Sequence, residues 1–242
     1  MSIEVHILGT SSARPTSIRQ VSGNLISCHD GIVVVDAGEG FQTRFFEQRK
    51  RMKQYDKYHL KPSKVSALCL THGHLDHTWG VLPWLQSLAL DNRHQPLLVL
   101  GPTTSQVIDA LLSEQPLPND IHKSDLAIQY QFWHQLGATS SGLGYPIRWI
   151  LGAVDVGRWV EFLDDGQIIE LTEMPQPEGW RKNHIAALST IHTTPSCAWQ
   201  VSSSGSPGKF DRVKAKQLAL SEAEKGALAS GEDIQHNGTV LK

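Results

Sequence analysis

The chain has 242 residues, of which 40% are hydrophobic, and its 22 basic residues nearly balance its 24 acidic residues. This composition predicts a soluble globular protein with a full core, and it argues against a protein that binds nucleic acid through a general positive charge. No run approaches the roughly 20 apolar residues of a membrane span. The first residues lack the basic start and apolar core of a signal peptide. We therefore expect a cytoplasmic protein without a membrane partner.

The three cysteines, Cys28, Cys69 and Cys197, are an odd number at wide, unpatterned spacings. Two of them fall inside strand-like runs. Because a disulfide framework or a zinc–thiolate site needs a paired pattern, we expect buried free thiols instead.

The first half of the sequence alternates between strand and helix patterns, which predicts a sheet covered by helices. Strands are predicted over residues 3–8, 23–27, 32–36, 65–70 and 97–100, and helices over residues 39–53, 81–90 and 103–113. His29, Asp30 and Gly31 form a turn signal between two apolar runs, which predicts a hairpin. Residues 116–144 carry the weakest pattern and are predicted to be a long irregular connection.

The second half becomes rich in strand patterns from Arg148 onward. Strands are predicted over residues 159–163, 167–171, 184–191 and 197–202. A turn-rich break at residues 202–208 precedes a charged helical stretch over residues 211–231 and an apolar run over residues 238–241. We therefore expect a main domain over residues 1–202 and a protruding, arm-like segment over residues 203–242.

A dense cluster of metal-binding residue types follows the apolar run at residues 65–70: His72, His74, Asp76 and His77. Neutral imidazole and carboxylate oxygen are ligands of zinc. Alternate residues of a strand share a face, so His72 and His74 can bind one ion, while Asp76 and His77 can reach a second ion. Two such ions suit phosphodiester hydrolysis. The alternative is a polar loop rich in histidine, but such a loop has no reason to lie between a buried strand and an apolar helix.

The H-x-H-x-D-H pattern between a strand and a helix resembles the metallo-β-lactamase superfamily. Residues 8–16, residues 36–42 with the sequence D-A-G-E-G-F-Q, and residues 192–196 resemble the opening loop, the D-x-G-E-G-x-Q turn and the third histidine motif of the ribonuclease Z family. That family consists of tRNA 3′-processing endonucleases, and the resemblance covers essentially the whole chain. It implies an α/β fold, the four-layer αββα sandwich.

The resemblance also implies a role for each metal-binding residue. His72, His74 and His192 are expected to hold one zinc ion, and Asp76 and His77 to hold the other. Asp76 is also expected to be catalytic by accepting a proton. The alternative for His192 is a partly buried histidine at a strand end.

Asp36 matches a carboxylate that accepts the free ring N–H of a liganding histidine and so fixes its tautomer. The alternative for Asp36 is a turn-forming residue at the end of a strand.

RNA contacts are expected at four positions: Arg14 and Arg19 of the opening loop, and Lys209 and Arg212 at the start of the arm. Gln20 departs from the family pattern, which has Asn there, so Arg19 is also consistent with an ordinary surface arginine. A basic run could follow a phosphate backbone or could form one solvated helix face. The run comprises Arg44, Arg49, Lys50, Arg51, Lys53, Lys57, Lys61 and Lys64.

Two motifs of the family, a bridging Asp in an S-G-D-T-like strand end and a final His, have no counterpart after His192. We therefore expect that the chain stops before the second half of the fold is complete, and that the second zinc site is incomplete.

The expected function is that of a zinc-dependent endoribonuclease that removes the 3′ trailer from precursor tRNA and leaves a 3′-hydroxyl on the tRNA, acting as a homodimer. One alternative is another hydrolase of the superfamily, acting on a small phosphodiester, a sulfate ester or a lactone. A second alternative is a catalytically inactive subunit that binds RNA or dimerises.

Overall fold

The computed structural model describes residues 3–54, 60–204 and 210–241. The chain divides into two compact units, Met1–Ser202 and Ser203–Lys242. Among the described residues, no helix is both long enough and apolar enough to cross a membrane.

The first unit is built on an eight-stranded sheet whose strands lie side by side in chain order. They are β1 (Glu4–Gly9), β2 (Gly23–Ser27), β3 (Ile32–Ala37), β4 (Val65–Cys69), β5 (Leu97–Pro102), β6 (Ile147–Ala153), β7 (Arg158–Phe162) and β8 (Ile168–Leu171). The four central strands, β3 to β6, are parallel, whereas the strands on either side pair antiparallel. Because they are parallel, the carboxyl ends of the central strands lie along one edge of the sheet.

Helices cover one face of this sheet. The helices of the first unit are α1 (Phe41–Gln54), α2 (Leu75–Thr78), α3 (Val81–Leu90), α4 (Ser105–Leu112), α5 (Leu126–Gln135) and α6 (Ser140–Leu143). All of them except α2 contribute buried side chains to one continuous apolar core with the sheet. In this core the Trp84 ring lies edge-on to Phe41, with ring centroids 5.3 Å apart. Burial of such rings stabilises this layer.

A two-stranded sheet of β9 (Asn183–Ser189) and β10 (Cys197–Ser203) covers the opposite face. Ile185 of β9 belongs to the same buried apolar cluster as Val33, Cys69, Leu100 and Trp159 of the large sheet. The predicted mixed α/β class is confirmed. The described residues of the first unit form three layers of the sandwich: helices, the large sheet and the two-stranded sheet.

Most predicted elements are confirmed, and β2 and α3 have the predicted bounds. The hairpin of β2 and β3 closes where Cys28 N donates to Gly31 O at 2.9 Å. All three cysteines are free and buried, as predicted.

The prediction of an irregular connection over residues 116–144 is wrong, because this segment contains α5 and α6. The Asp125 side chain caps α5 by accepting a hydrogen bond from Ala127 N. Tyr130 and Trp133 of α5 are buried, but Phe132 is exposed. The sequence of α5 therefore shows no clean apolar stripe, and tertiary packing decides its structure.

The second unit contains two helices and a hairpin. They are α7 (Arg212–Gln217), α8 (Glu222–Ser230), β11 (Ile234–His236) and β12 (Thr239–Leu241). The single helical stretch predicted over residues 211–231 is therefore two helices. Ser221 and Glu224 form a reciprocal capping box at the start of α8. Glu224 also lies 2.7 Å from His236 Nδ1, which joins α8 to β11.

Candidate metal centre

The candidate site lies at the edge where the parallel strands end. Residues 71–77 follow β4, and His192 lies in the connection between β9 and β10. His72 pairs with Ser196 in an isolated β-bridge, and Cys197 N donates to Thr71 O at 2.9 Å. These backbone bonds bring the His192 loop beside the end of β4, although His74 and His192 are 118 positions apart in the sequence.

Three imidazole rings, those of His72, His74 and His192, converge at this edge. Their facing nitrogens all lie within 4.8 Å of one another. His74 Nδ1 is 3.1 Å from His72 Nε2 and 3.4 Å from His192 Nε2. Two nitrogens bound to one tetrahedral zinc ion at about 2.0–2.1 Å lie roughly 3.3 Å apart. The two separations at His74 Nδ1 therefore match the spacing of ligands on one tetrahedral ion, and His72, His74 and His192 together could hold a metal ion.

Asp76 and His77 form a second pair of donors. Asp76 Oδ2 lies 3.7 Å from His77 Nε2. The same Asp76 oxygen accepts a hydrogen bond from Ala13 N at 2.9 Å, which ties the loop after β1 to this pair. The structure thus brings all five sequence-predicted ligands to one edge, as a group of three imidazoles and a group of one carboxylate and one imidazole.

Asp36 lies at the end of β3, behind the histidines, and is only 2% exposed. Its carboxylate accepts hydrogen bonds from Ser22 Oγ at 2.9 Å and from Thr71 N at 2.8 Å, and it lies 2.6 Å from His77 Nδ1. Its backbone has a φ of 60°, a left-handed conformation that costs a non-glycine residue about 1–3 kcal/mol. The buried hydrogen bonds hold the residue in this strained position.

The hydrogen bonds of Asp36 and Thr71 assign the tautomers of two candidate ligands. The single hydroxyl proton of Thr71 goes to Asp36 at 2.9 Å, so Thr71 Oγ1 accepts from His72 Nδ1 at 3.0 Å. His77 Nδ1 donates to Asp36 in the same way. The Nε2 atoms of His72 and His77 therefore carry free lone pairs, which are the form that binds a metal.

The lowered pKa values of His72 and His74 favour the neutral form of these two rings. Burial, reinforced by the neighbouring imidazole of His77, lowers the pKa of His72 to about 4. Burial and the nearby ring of His192 also lower the pKa of His74. Burial likewise opposes charge on His77, but the hydrogen bond and negative charge of Asp36 outweigh it and raise the pKa of His77.

Two glycines allow the backbone around the ligands to pack closely. A Cβ atom on Gly73 would overlap the carbonyl oxygen of Ser124, and one on Gly38 would overlap that of Asp76. Gln129 of α5 also donates to Gly73 O at 2.5 Å. The segment before α5 therefore supports the ligand loop from behind, and only glycine fits between His72 and His74.

His122 is a neighbour of the site that sequence reasoning missed. Its ring centroid lies 5.9 Å from that of His74, and its Nδ1 accepts a hydrogen bond from Ser124 N at 3.1 Å. His122 also lines a cavity of about 230 Å³ together with Asp125 and Pro195. It falls in the segment predicted to be irregular, where no spacing pattern could have indicated it.

The residues expected to contact RNA are not gathered at one place, unlike the five candidate metal ligands. Arg14 and Arg19 are both exposed in the loop that reaches Asp76 through Ala13. Thr16 holds the Arg19 end of this loop, because Thr16 Oγ1 accepts from Arg19 N at 2.9 Å. Arg212 is the exposed first residue of α7 in the second unit. Lys209 lies outside the described residues.

The basic run lies mostly on α1 and just before β4. Arg44 pairs with Glu47 at 2.8 Å, and Lys57 lies outside the described residues. The remaining members, Arg49, Lys50, Arg51, Lys53, Lys61 and Lys64, are exposed. Their exposure is compatible with a phosphate-binding surface and equally with a solvated face.

The family model of the metallo-beta-lactamase superfamily matches residues 18–175, well over half of the chain. The chain belongs to this superfamily. Its curated relatives include Ribonuclease Z of Methanosarcina mazei, 23% identical over 99% of this chain, and Ribonuclease Z of Halobacterium salinarum, 26% identical over 100% of it. The chain spans 62% of the length of each of these relatives. Among solved structures, human tRNase Z, short form, is similar to this chain at 20% identity and a TM-score of 0.46, with 82% of this chain and 64% of that one covered.

Proposed function

We propose that this chain is a zinc-dependent endoribonuclease that removes the 3′ trailer from precursor tRNA by phosphodiester hydrolysis and leaves a 3′-hydroxyl on the tRNA. The observation that carries the proposal is the spacing of the His72, His74 and His192 nitrogens, which suits one tetrahedral ion, beside a second pair of donors. The similarity to proteins named Ribonuclease Z over nearly the whole chain supports RNA as the substrate class.

The donor set favours zinc, because imidazole and carboxylate are its common ligands in hydrolases. His72, His74 and His192 would hold one ion, and Asp76 and His77 would supply two ligands to another. Bound zinc would supply Lewis-acid chemistry, lowering the pKa of water and neutralising the charge that develops at phosphate.

Asp76 has a further role as the proton acceptor. Its Oδ2 atom is held by Ala13 N, while its Oδ1 atom makes no hydrogen bond to any described residue. We assign Oδ1 to accept the proton of the attacking water. Asp36 keeps His77 in the tautomer that leaves Nε2 available, and so it is a positioning residue.

The proposed function also includes the RNA contacts, a homodimeric state and a cytoplasmic location. Arg14 and Arg19 are exposed cations in the loop anchored on Asp76, where they can contact phosphates beside the scissile bond. Residues 203–242 would form an RNA-binding arm that uses Lys209 and Arg212. We also propose that the protein acts as a homodimer in the cytoplasm.

Cleavage of a 3′-extended precursor tRNA by the zinc-loaded chain tests the proposal. His74→Ala and Asp76→Ala should each abolish cleavage, because each removes a ligand, whereas the exposed His94→Ala should cleave at the wild-type rate. The 3′ end of the tRNA product should carry a hydroxyl. Wild-type rates in both ligand variants would rule the assignment out.

Two further measurements separate the alternatives. Zinc-loaded protein that hydrolyses bis(p-nitrophenyl) phosphate but leaves precursor tRNA intact would indicate another hydrolase of the superfamily. Protein that binds no zinc but does bind tRNA would indicate the inactive subunit.

A further inference from the structure

His122 lies beside the candidate metal centre and is held there by its own segment. Its ring centroid lies 5.9 Å from that of His74. Ser124, two positions further on, packs against the ligand loop, since a Cβ atom on Gly73 would overlap the Ser124 carbonyl oxygen. Gln129 of α5 donates a hydrogen bond to Gly73 O in the same region. The position of His122 relative to the candidate ligands is therefore fixed by packing.

A backbone hydrogen bond fixes the tautomer of His122. Ser124 N can only donate, so His122 Nδ1 accepts its hydrogen bond at 3.1 Å and the proton of the neutral ring lies on Nε2. Neither nitrogen then offers a free lone pair, so this ring is not a further metal ligand. Among the described residues, Nε2 has no hydrogen-bond partner. His122 therefore carries an unused N–H donor next to the candidate metal centre.

The cavity that His122 lines, of about 230 Å³, lies at the edge where the parallel strands end. Pro195, which follows His192 in the same loop, lines it as well, so the cavity adjoins two of the segments that form the candidate metal centre. Pockets that bind drug-sized molecules measure roughly 300–1,000 Å³. This smaller cavity suits one group of the size of a sugar ring rather than a whole nucleotide.

The lining of the cavity favours a neutral group with hydroxyls over an anion. Asp120 and Asp125 line it, whereas no lysine or arginine of the described residues does, and this charge opposes a phosphate. The exposed Asp120 makes no hydrogen bond to any described residue, so its carboxylate is free to accept one. Ile121 and Pro195 add apolar surface. A ribose matches this lining, because its carbon face is apolar and its hydroxyls both donate and accept.

A second cavity, of about 400 Å³, adjoins the first along the same edge. The two cavities share Thr104, Gln106 and Pro195 in their walls. Hydroxyl side chains dominate the rest of the second cavity, namely those of Thr103, Ser105, Ser189, Thr190 and Ser196. Together the cavities form a groove beside the His192 loop. Such a groove suits a polymeric substrate, since a small substrate would need only the first cavity.

We propose that the cavity beside His122 is a ribose-binding subsite, in which the 2′-hydroxyl of a nucleotide flanking the scissile phosphate accepts a hydrogen bond from His122 Nε2. The acidic wall of the cavity takes the proton of the same hydroxyl. The proposal rests on the proposed function, because it requires RNA at the metal centre. The 2′-hydroxyl is the group by which proteins distinguish RNA from DNA, so the subsite selects RNA without reading a base.

Steady-state cleavage of precursor tRNA separates the N–H group of His122 from its ring. His122→Phe keeps a ring beside His74 but removes the donor, and it should raise KM roughly 2- to 10-fold with little change in kcat, as expected for one hydrogen bond. His122→Gln keeps an N–H donor without the ring and should retain most of the affinity. The exposed His94→Phe is the matched control and should match wild type. No loss in His122→Phe, or an equal loss in His122→Gln, would overturn the subsite.

Substrates that lack a single 2′-hydroxyl identify the partner of His122. A 2′-deoxynucleotide on one side of the scissile phosphate should raise the wild-type KM and leave the KM of His122→Phe unchanged, because two changes to one contact are not additive. Additive losses with a deoxynucleotide on either side would contradict the proposal. If a neutral methylphosphonate linkage instead removed the difference between wild type and His122→Phe, the cavity would hold a phosphate and the ribose assignment would be wrong.

Binding without cleavage distinguishes failure of the subsite from failure of the proposed function. In an Asp76→Ala background, a short single-stranded RNA should bind more tightly than DNA of the same sequence in fluorescence anisotropy. This preference should fall in Asp76→Ala/His122→Phe and persist in Asp76→Ala/His122→Gln. Such a pattern without precursor cleavage by wild type would reject the endonuclease proposal and keep the subsite. Cleavage by wild type, with an RNA preference that does not depend on His122, would reject the subsite alone.

Discussion

The two edges of the central parallel strands use buried polar side chains in opposite ways. At the edge where the strands begin, Arg93 donates to Pro62 O, Val65 O and Pro96 O at 2.7–2.9 Å. Asp30, beside the start of β3, accepts from three successive backbone N–H groups that begin at Arg181. The side chains of Arg93 and Asp30 therefore form hydrogen bonds that join separate backbone segments and stabilise the fold.

At the edge where the same strands end, the polar groups leave ligand atoms available. Asp36 and Thr71 use their hydrogen bonds to orient imidazoles, and the facing nitrogens of His72, His74 and His192 lie close to one another without a hydrogen bond to any other described residue. Polar residues at the first edge thus stabilise the fold, whereas those at the second edge orient the candidate ligands. Substitutions at the first edge should change stability, whereas substitutions at the second should change metal affinity.

The largest expected effect is on stability, from Arg93→Met. Arg93 is 5% exposed, and burial lowers its pKa to about 10, while Tyr145 partly offsets this effect. Methionine fills similar space but leaves three backbone carbonyls without their charged donor. Each lost hydrogen bond of this kind contributes about 1.5–3 kcal/mol, so the free energy of unfolding in urea should fall by at least about 3 kcal/mol. Zinc affinity of the folded protein should stay at the wild-type value, and a loss of affinity would show that Arg93 also supports the candidate metal site.

The second effect is on metal binding, from Asp36→Asn. Asparagine keeps the shape of the side chain, but it can place an NH2 group where the Asp36 oxygen accepts the hydrogen bond from His77 Nδ1. Replacing such an orienting carboxylate typically lowers metal affinity about 10- to 100-fold. Competition with a zinc chelator measures the change at the weaker of the bound ions. Ser22→Ala, which removes one donor to Asp36 but no acceptor of the imidazole, is the control and should lose far less affinity.

The smallest effect is a change in pH dependence, from Asp30→Asn. Burial opposes ionisation of Asp30, but the hydrogen bonds from His29 and from the backbone of residues 181–183 outweigh it and lower the pKa of the carboxyl. A carboxyl with a lowered folded pKa stabilises the protein above its unfolded pKa of about 3.9, and the stabilisation is lost as the pH falls below that value. Wild type should therefore exceed Asp30→Asn in unfolding free energy by roughly 1 kcal/mol at pH 7. The difference should shrink as the pH falls below about 4 in acid titrations followed by circular dichroism. A difference independent of pH would exclude the carboxylate as its source.

Local patterns predicted most of the sheet because its strands are short apolar runs between turn signals. The bounds of β2 and α3 and the hairpin at Gly31 follow from such runs. The prediction of an irregular connection was wrong at α5 because this helix lacks such a local pattern. The buried Tyr130 and Trp133 alternate with glutamines and the exposed Phe132, so the sequence shows no amphipathic pattern. The helix is identified only in the tertiary structure, where Tyr130 packs against Trp149 of β6.

By itself, the sequence determined the candidate ligand types and a sheet covered by helices, because His72, His74, Asp76 and His77 lie close together along the chain and the strand and helix patterns alternate. Only the tertiary structure decided how far apart the candidate ligand atoms lie, how Asp36 and Thr71 orient the rings, and that His122 lies beside His74. These features depend on where strands, loops and helices distant in the chain meet. Such meetings are set by the backbone hydrogen bond between Thr71, after β4, and Cys197 of β10, and by close packing at Gly73, neither of which leaves a periodic signal in the sequence.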